Sequence, residues 1–110
     1  MKKSYALTLA AATLLAASSA YAADAKENWD QLCAKCHGID GAGKSVVGKK
    51  LKVKDYTDAA VQAEFTDAQL AKVTADGSTR DGKELMKGYK EDLSPADVTA
   101  LVAYIRQMKK

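Results

Sequence analysis

The most specific chemistry in this sequence sits in five consecutive residues, Cys33-Ala34-Lys35-Cys36-His37. Two thiols three positions apart are followed at once by an imidazole, the spacing that attaches a haem covalently. Helical positions three and four apart share a face, so Cys33, Cys36 and His37 project the same way. Each thiol can add across one vinyl group of the porphyrin to form a thioether. The imidazole then lies where it binds the iron as proximal ligand. Two other uses of the same residues fall short. A zinc site needs four ligands, and the motif supplies three. A thioredoxin-like dithiol belongs beside a βαβ pattern, and none is present. The expected cofactor is therefore haem c with its iron, one per chain, held by Cys33 and Cys36.

The other side of such an iron needs a ligand of its own, or stays open. His37 is the only histidine in the chain, so bis-histidine ligation within one chain is excluded. Both cysteines are used in attachment. A methionine thioether is the natural remaining neutral ligand, and Met paired with His raises the reduction potential. Past the start residue the methionines are Met86 and Met108. Met108 continues the apolar stripe of the last helix, where packing accounts for it. Met86 lies in a glycine-flanked loop, where packing accounts for it less well. On the residues alone, a lysine ligand or an open site stands beside Met86.

The rest of the chain must position this motif. Residues 1–22 read as a secretory signal peptide: a basic Met1-Lys2-Lys3, an uncharged apolar run from Tyr5 to Ala17, and a small-residue site at Ala20-Tyr21-Ala22. The run is shorter than the ~20 residues that span a bilayer. Cleavage leaves a single domain, 23–110, with fifteen basic and fourteen acidic residues, a net charge of +1. So balanced a surface excludes nucleic acid, which calls for a clustered basic face. No second hydrophobic segment remains to insert stably into a membrane. The expected location is the periplasm and the expected state a monomer. A chain this short needs a staple, and a bridge between cysteines three apart would close too small a ring to serve. A haem would bury far more apolar surface.

Asp24 reads as the N-cap of a helix running into the cysteine pair, with Trp29, Leu32, Cys33 and Cys36 at helical steps and Gly38 as its stop. Gly41-Ala42-Gly43 follows in a flexible loop. Lys44 to Lys54 holds five lysines and no acid, and reads as an irregular loop whose apolar residues turn inward. It is either solvated surface or a positive rim that steers an acidic partner. Thr57 reads as the cap of a short helix over Asp58 to Ala63. Thr66-Asp67-Ala68-Gln69 is a capping box opening a helix to about Asp76, with Leu70 and Val73 inward. Ser78 to Gly88 reads as loop. Ser94-Pro95-Ala96-Asp97 starts a last helix with the stripe Val98, Leu101, Val102, Ile105 and Met108. No strand pair is evident. The fold class is all-α: three main helices and a short one, with long loops. Long loops are uncommon unless something organises them, and here the haem would.

In this order the parts resemble the small soluble class I c-type cytochromes of bacteria, over essentially the whole of 23–110. The residues that carry the likeness are Trp29, Cys33-Ala34-Lys35-Cys36-His37-Gly38, Gly41-Ala42-Gly43, Met86-Lys87-Gly88-Tyr89, Leu93-Ser94-Pro95 and Leu101 to Arg106. The resemblance implies that the first and last helices cross, with Trp29 meeting Leu101 and Tyr104. It also implies that Met86 is the distal iron ligand. Two positions depart from the family pattern. Lys87 stands where many members have proline, which leaves the Met loop less rigid. The family often has a proline after the haem motif whose carbonyl orients the histidine. Pro95 is the only proline here, so another carbonyl of the loop after His37 is expected in that role.

The implied function is electron carriage between respiratory or dehydrogenase partners that dock transiently, with no substrate chemistry. Lys35, Lys44, Lys49 and Lys87 would tune the docking. Two other functions compete: a haem-based sensor or peroxidase-like site, and a subunit dedicated to one dehydrogenase.

Overall fold

A computed structural model describes residues 24–110, and the expected signal peptide lies outside the described residues. The first described helix, α1, runs over 24–37. Asp24 is already helical, so it is not the cap expected there. Within α1 the segment Trp29–Cys33 is wound as a π-helix, and Ala34–His37 returns to α geometry. The Ala34 N–H donates to the Trp29 carbonyl, five residues back instead of four. Single π-turns of this kind cluster at functional sites. Trp29 and Cys33 are both buried. Gly38 ends the helix at φ 83°.

The lysine-rich stretch is not an irregular loop. It contains α2, Val46–Leu51. Ser45 caps it by accepting from the Gly48 N–H at 2.9 Å, and the same hydroxyl donates to the Cys36 carbonyl at 2.8 Å. A Cβ on Gly48 would collide with that carbonyl. The glycine that makes this stretch look non-helical is there because α2 lies directly on the cysteine motif. The apolar residues do not all turn inward: Val46 is 86% exposed.

Helix α3, Ala59–Ala63, is capped by Asp58, whose carboxylate accepts from the Ala60 N–H. Thr57 instead donates both its N–H and its hydroxyl to Asp55. Helix α4, Asp67–Asp76, has the Thr66/Gln69 capping box in full. Between Gly77 and Gly88 the expected loop is a hairpin, β1 Ser78–Arg80 and β2 Lys83–Met86, paired antiparallel. Its turn is Asp81-Gly82 with φ 53° and 76°, the two positive values that match the right-handed twist of the strands. The flanks are polar and lack alternation, which hid the hairpin. The last helix, α5 Pro95–Arg106, has the Ser94/Asp97 capping box and Pro95 in its first turn.

The core gathers Trp29, Cys33, Leu70, Leu93, Val98, Leu101, Val102 and Ile105. Trp29 and Leu101 are its most enclosed large side chains, at 1% exposure each. Trp29 and Tyr104 stand 6.0 Å apart between ring centres, as expected for the meeting of α1 with α5. The fold is all-α in its core, and the small hairpin is the exception. Among the described residues no helix is long and apolar enough to cross a membrane.

Candidate haem site

Five segments wall one cleft that opens partly to solvent. Helix α1 contributes Trp29, Cys33 and His37, and Tyr56 enters from the loop before α3. Helix α4 contributes Leu70, Val73 and Thr74, the end of β2 contributes Met86, and α5 contributes Leu101 and Ile105. Cys33, His37 and Met86 are thus brought together. Cys36 is half-buried and is not on the cleft wall.

Both cysteines are free thiols. Burial, with a smaller push from Cys36, raises the Cys33 thiol to about 11. A dithiol that exchanges disulfides needs a lowered thiol pKa, near or below neutrality. This environment does the opposite, which agrees with attachment chemistry and not with a redox dithiol.

Burial lowers the pKa of His37, so the ring is neutral at pH 7 and keeps a lone pair for a metal. Its ring stacks on Tyr56 with centres 5.4 Å apart and planes 18° apart, and Trp29 flanks it at 5.7 Å. The expected carbonyl does not orient it: the His37 Nδ1 is buried without a hydrogen-bond partner. The carbonyls nearby are committed elsewhere. The Gly38 carbonyl accepts from Trp29 Nε1 at 2.9 Å, and the His37 carbonyl accepts from the Gly43 N–H at 2.8 Å. Aromatic packing therefore fixes the ring. A buried polar atom left unpaired costs about 1–3 kcal/mol and signals that the site is built for a further group.

Met86 is half-buried at the cleft. The Met108 sulfur lies against Gly41, away from the cleft, so packing does account for it. No lysine is among the residues that line the cleft. No cluster of three or more His, Cys, Asp or Glu among the described residues could hold a metal ion, which leaves zinc without a ligand set. A neutral imidazole, a thioether, a free buried thiol and apolar walls fit a haem. Cys33 and Cys36 would tether it, and His37 and Met86 would meet its iron.

The sequence did not point to Tyr56, whose hydroxyl pKa is raised by burial and then by Cys33. Nor did it point to Gln62, a buried amide that donates to the carbonyls of Tyr56 and Ile105. Tyr56 stands alone between Asp55 and Thr57, with no periodic partner. Gln62 is a polar residue on a core-facing position, which pattern reading assigns to the surface.

The family model described as "Cytochrome C oxidase, cbb3-type, subunit III" matches residues 20–105. Among solved structures the chain is similar to the "KustC0563 c-type cytochrome". That likeness has 33% identity and a TM-score of 0.69, and it covers 77% of this chain and 96% of that one. A tyrosine-to-phenylalanine mutant of the same protein gives 32% identity and a TM-score of 0.68, covering 78% and 99%. No curated protein matches the chain.

Proposed function

The chain belongs to the family of the cbb3-type cytochrome c oxidase subunit III domain, among the small class I c-type cytochromes, and from that premise we propose that it is an exported electron carrier with His37 and Met86 as axial ligands. The observation that carries this reading is the pairing of His37 with Met86 on one apolar cleft that no lysine lines. A bound haem supplies a one-electron couple. Cys33 and Cys36 prevent its loss outside the cell interior. His37 and Met86 would both hold the iron, which would leave no vacancy for small ligands. Trp29, Leu70, Leu101 and Ile105 exclude water, and a low dielectric disfavours the more positive oxidised state. The domain is 23–110, released into the periplasm after cleavage at Ala22. It works as a monomer that meets redox proteins transiently, through small interfaces.

The test is the visible spectrum of the protein exported from a host competent in cytochrome maturation. The expected result is a c-type pyridine haemochrome, a weak thioether-ligation band at the red end of the ferric spectrum, and a reduced form that resists carbon monoxide at neutral pH. A colourless protein would overturn the whole reading. Rapid carbon monoxide binding would turn it toward a sensor or peroxidase-like site.

A further inference from the structure

The segment that carries Met86 lacks the proline that stiffens it in the family, yet it is tied down at several points. The hairpin register runs Arg80 to Lys83, Thr79 to Glu84, then Ser78 to Met86, so Leu85 is an extra residue. Such a bulge re-aims the side chain next to it, and that side chain is Met86. Directly beyond, two backbones cross where only hydrogens fit between them. A Cβ on Gly77 would strike the Met86 carbonyl and would lie 2.6 Å from the Gly88 N. A Cβ on Gly88 would lie 2.6 Å from the Ala75 carbonyl oxygen and 2.6 Å from the Asp76 carbonyl carbon. These are backbone atoms, and no rotamer change can move them aside.

The crossing is then bolted on both sides. The Tyr89 N–H donates to the Thr74 carbonyl at 3.0 Å and the Lys90 N–H to the Ala75 carbonyl at 3.1 Å. The Tyr89 hydroxyl reaches the Leu32 carbonyl at 3.1 Å. Leu32 lies inside the π-turn of α1, next to Cys33. Tyr89 therefore links the segment bearing Met86 directly to the helix bearing the attachment motif.

We infer that Gly88, together with Gly77, and the Tyr89 hydroxyl are positioning residues that hold Met86 over the cleft in place of the absent proline. The inference rests on reading Met86 as the second axial ligand. An alanine at 88 must displace either the last turn of α4 or the segment 86–88. The last turn of α4 is anchored by Thr74, which is buried and donates its hydroxyl to the Leu70 carbonyl at 2.8 Å, so the displacement falls on Met86.

The test uses the haem-loaded protein and four variants. Gly88→Ala is expected to keep one haem per chain and its helical circular dichroism. It should nevertheless lose most of the thioether-ligation band and bind carbon monoxide about tenfold faster, as the fraction of molecules with Met86 released rises about tenfold. Tyr89→Phe is expected to move both readouts the same way by a smaller factor. Gly82→Ala is the control: it is the same exchange at the hairpin's turn, at φ 76°, with nothing within 4 Å of the added Cβ. It should lower the melting temperature and leave band and carbon monoxide rate unchanged. Parent-like band and rate in both Gly88→Ala and Tyr89→Phe would overturn the inference, and so would equal changes in Gly82→Ala. If Gly88→Ala is not recovered folded, Tyr89→Phe decides. Met86→Ala separates the two levels. If it keeps the band, the ligand reading fails. If it alone loses the band, that reading stands and the positioning role falls.

Discussion

The Gln62 amide makes three hydrogen bonds at 6% exposure. It donates to the Tyr56 carbonyl at 2.8 Å and the Ile105 carbonyl at 2.7 Å, and accepts from Arg106 at 2.9 Å. Arg106 also donates to the Gln62 and Phe65 carbonyls, at 2.6 Å each, and to Asp67 at 2.8 Å. One guanidinium thus ties α5 to α3 and to the start of α4. The amide holds the backbone of Tyr56, the residue stacked on His37. A fully satisfied network of this kind rigidifies what it joins, and a half-satisfied one is worse than none. Replacing Gln62 by leucine keeps most of the volume, leaves the Tyr56 carbonyl without its partner, leaves the buried Ile105 carbonyl only the Met108 N–H, and takes one acceptor from Arg106. The expected cost is about 3 kcal/mol, which in a domain of this size lowers Tm by roughly 15 °C. Thermal melts of the haem-loaded Gln62→Leu variant check it. A drop under about 3 °C would show that the network contributes nothing to stability.

At the level of elements, capped helices were legible and packed backbones were not. Thr66/Gln69 and Ser94/Asp97 announce α4 and α5 because a capping box is local chemistry, readable without knowing the neighbours. The Cys33-to-His37 motif is local in the same sense. Helix α2 was illegible because Gly48 answers to the Cys36 carbonyl, a residue twelve positions away. The π-turn is likewise invisible, since Trp29, Leu32 and Cys33 satisfy an ordinary helical period as well. The correction to α2 sharpens the meaning of its lysines. Lys44, Lys49, Lys50 and Lys52 make no ion pair among the described residues, whereas Lys54 pairs with Glu64 at 3.4 Å. Helix α2 sits on the attachment motif and presents Val46 to solvent among these charges. Across residues 23–110, whose net charge is +1, a local positive face shows itself only at close range. Electron exchange with anionic hexacyanoferrate should therefore slow several-fold between about 0.01 and 0.15 M ionic strength, as the screening length falls from roughly 30 to 8 Å. Lys49→Gln with Lys50→Gln should flatten the dependence. A flat profile in the parent protein would return the lysines to plain solvated surface.

For the molecule as a whole, the core and the cleft overlap, sharing five of the eight core residues. Trp29, Cys33, Leu70, Leu101 and Ile105 belong to the buried cluster and also line the space between His37 and Met86. In most domains a binding pocket is set into the side of a core that stands without it. Here core side chains themselves form the cleft wall, so a group bound there would supply packing to α1, α4 and α5. Outside the helices, Leu93 alone belongs to that buried cluster. The hairpin is two short strands with mostly exposed residues, and an isolated two-stranded ribbon is marginal in water. A domain of this size buries a smaller share of its surface on folding than a larger one and gains correspondingly less. A ligand bound only by the folded state shifts folding by its full binding free energy, and a covalent tether makes that ligand permanent. The mature chain without haem, made in a host lacking cytochrome maturation, should therefore show low helix content by circular dichroism and no cooperative melt. The haem-loaded protein should melt in one sharp transition. Cys33→Ala with Cys36→Ala should behave like the haem-free chain once non-covalent haem has been extracted. A haem-free chain that melts cooperatively with full helix content would show that the eight-residue core suffices, and that the haem is a passenger in a fold already complete.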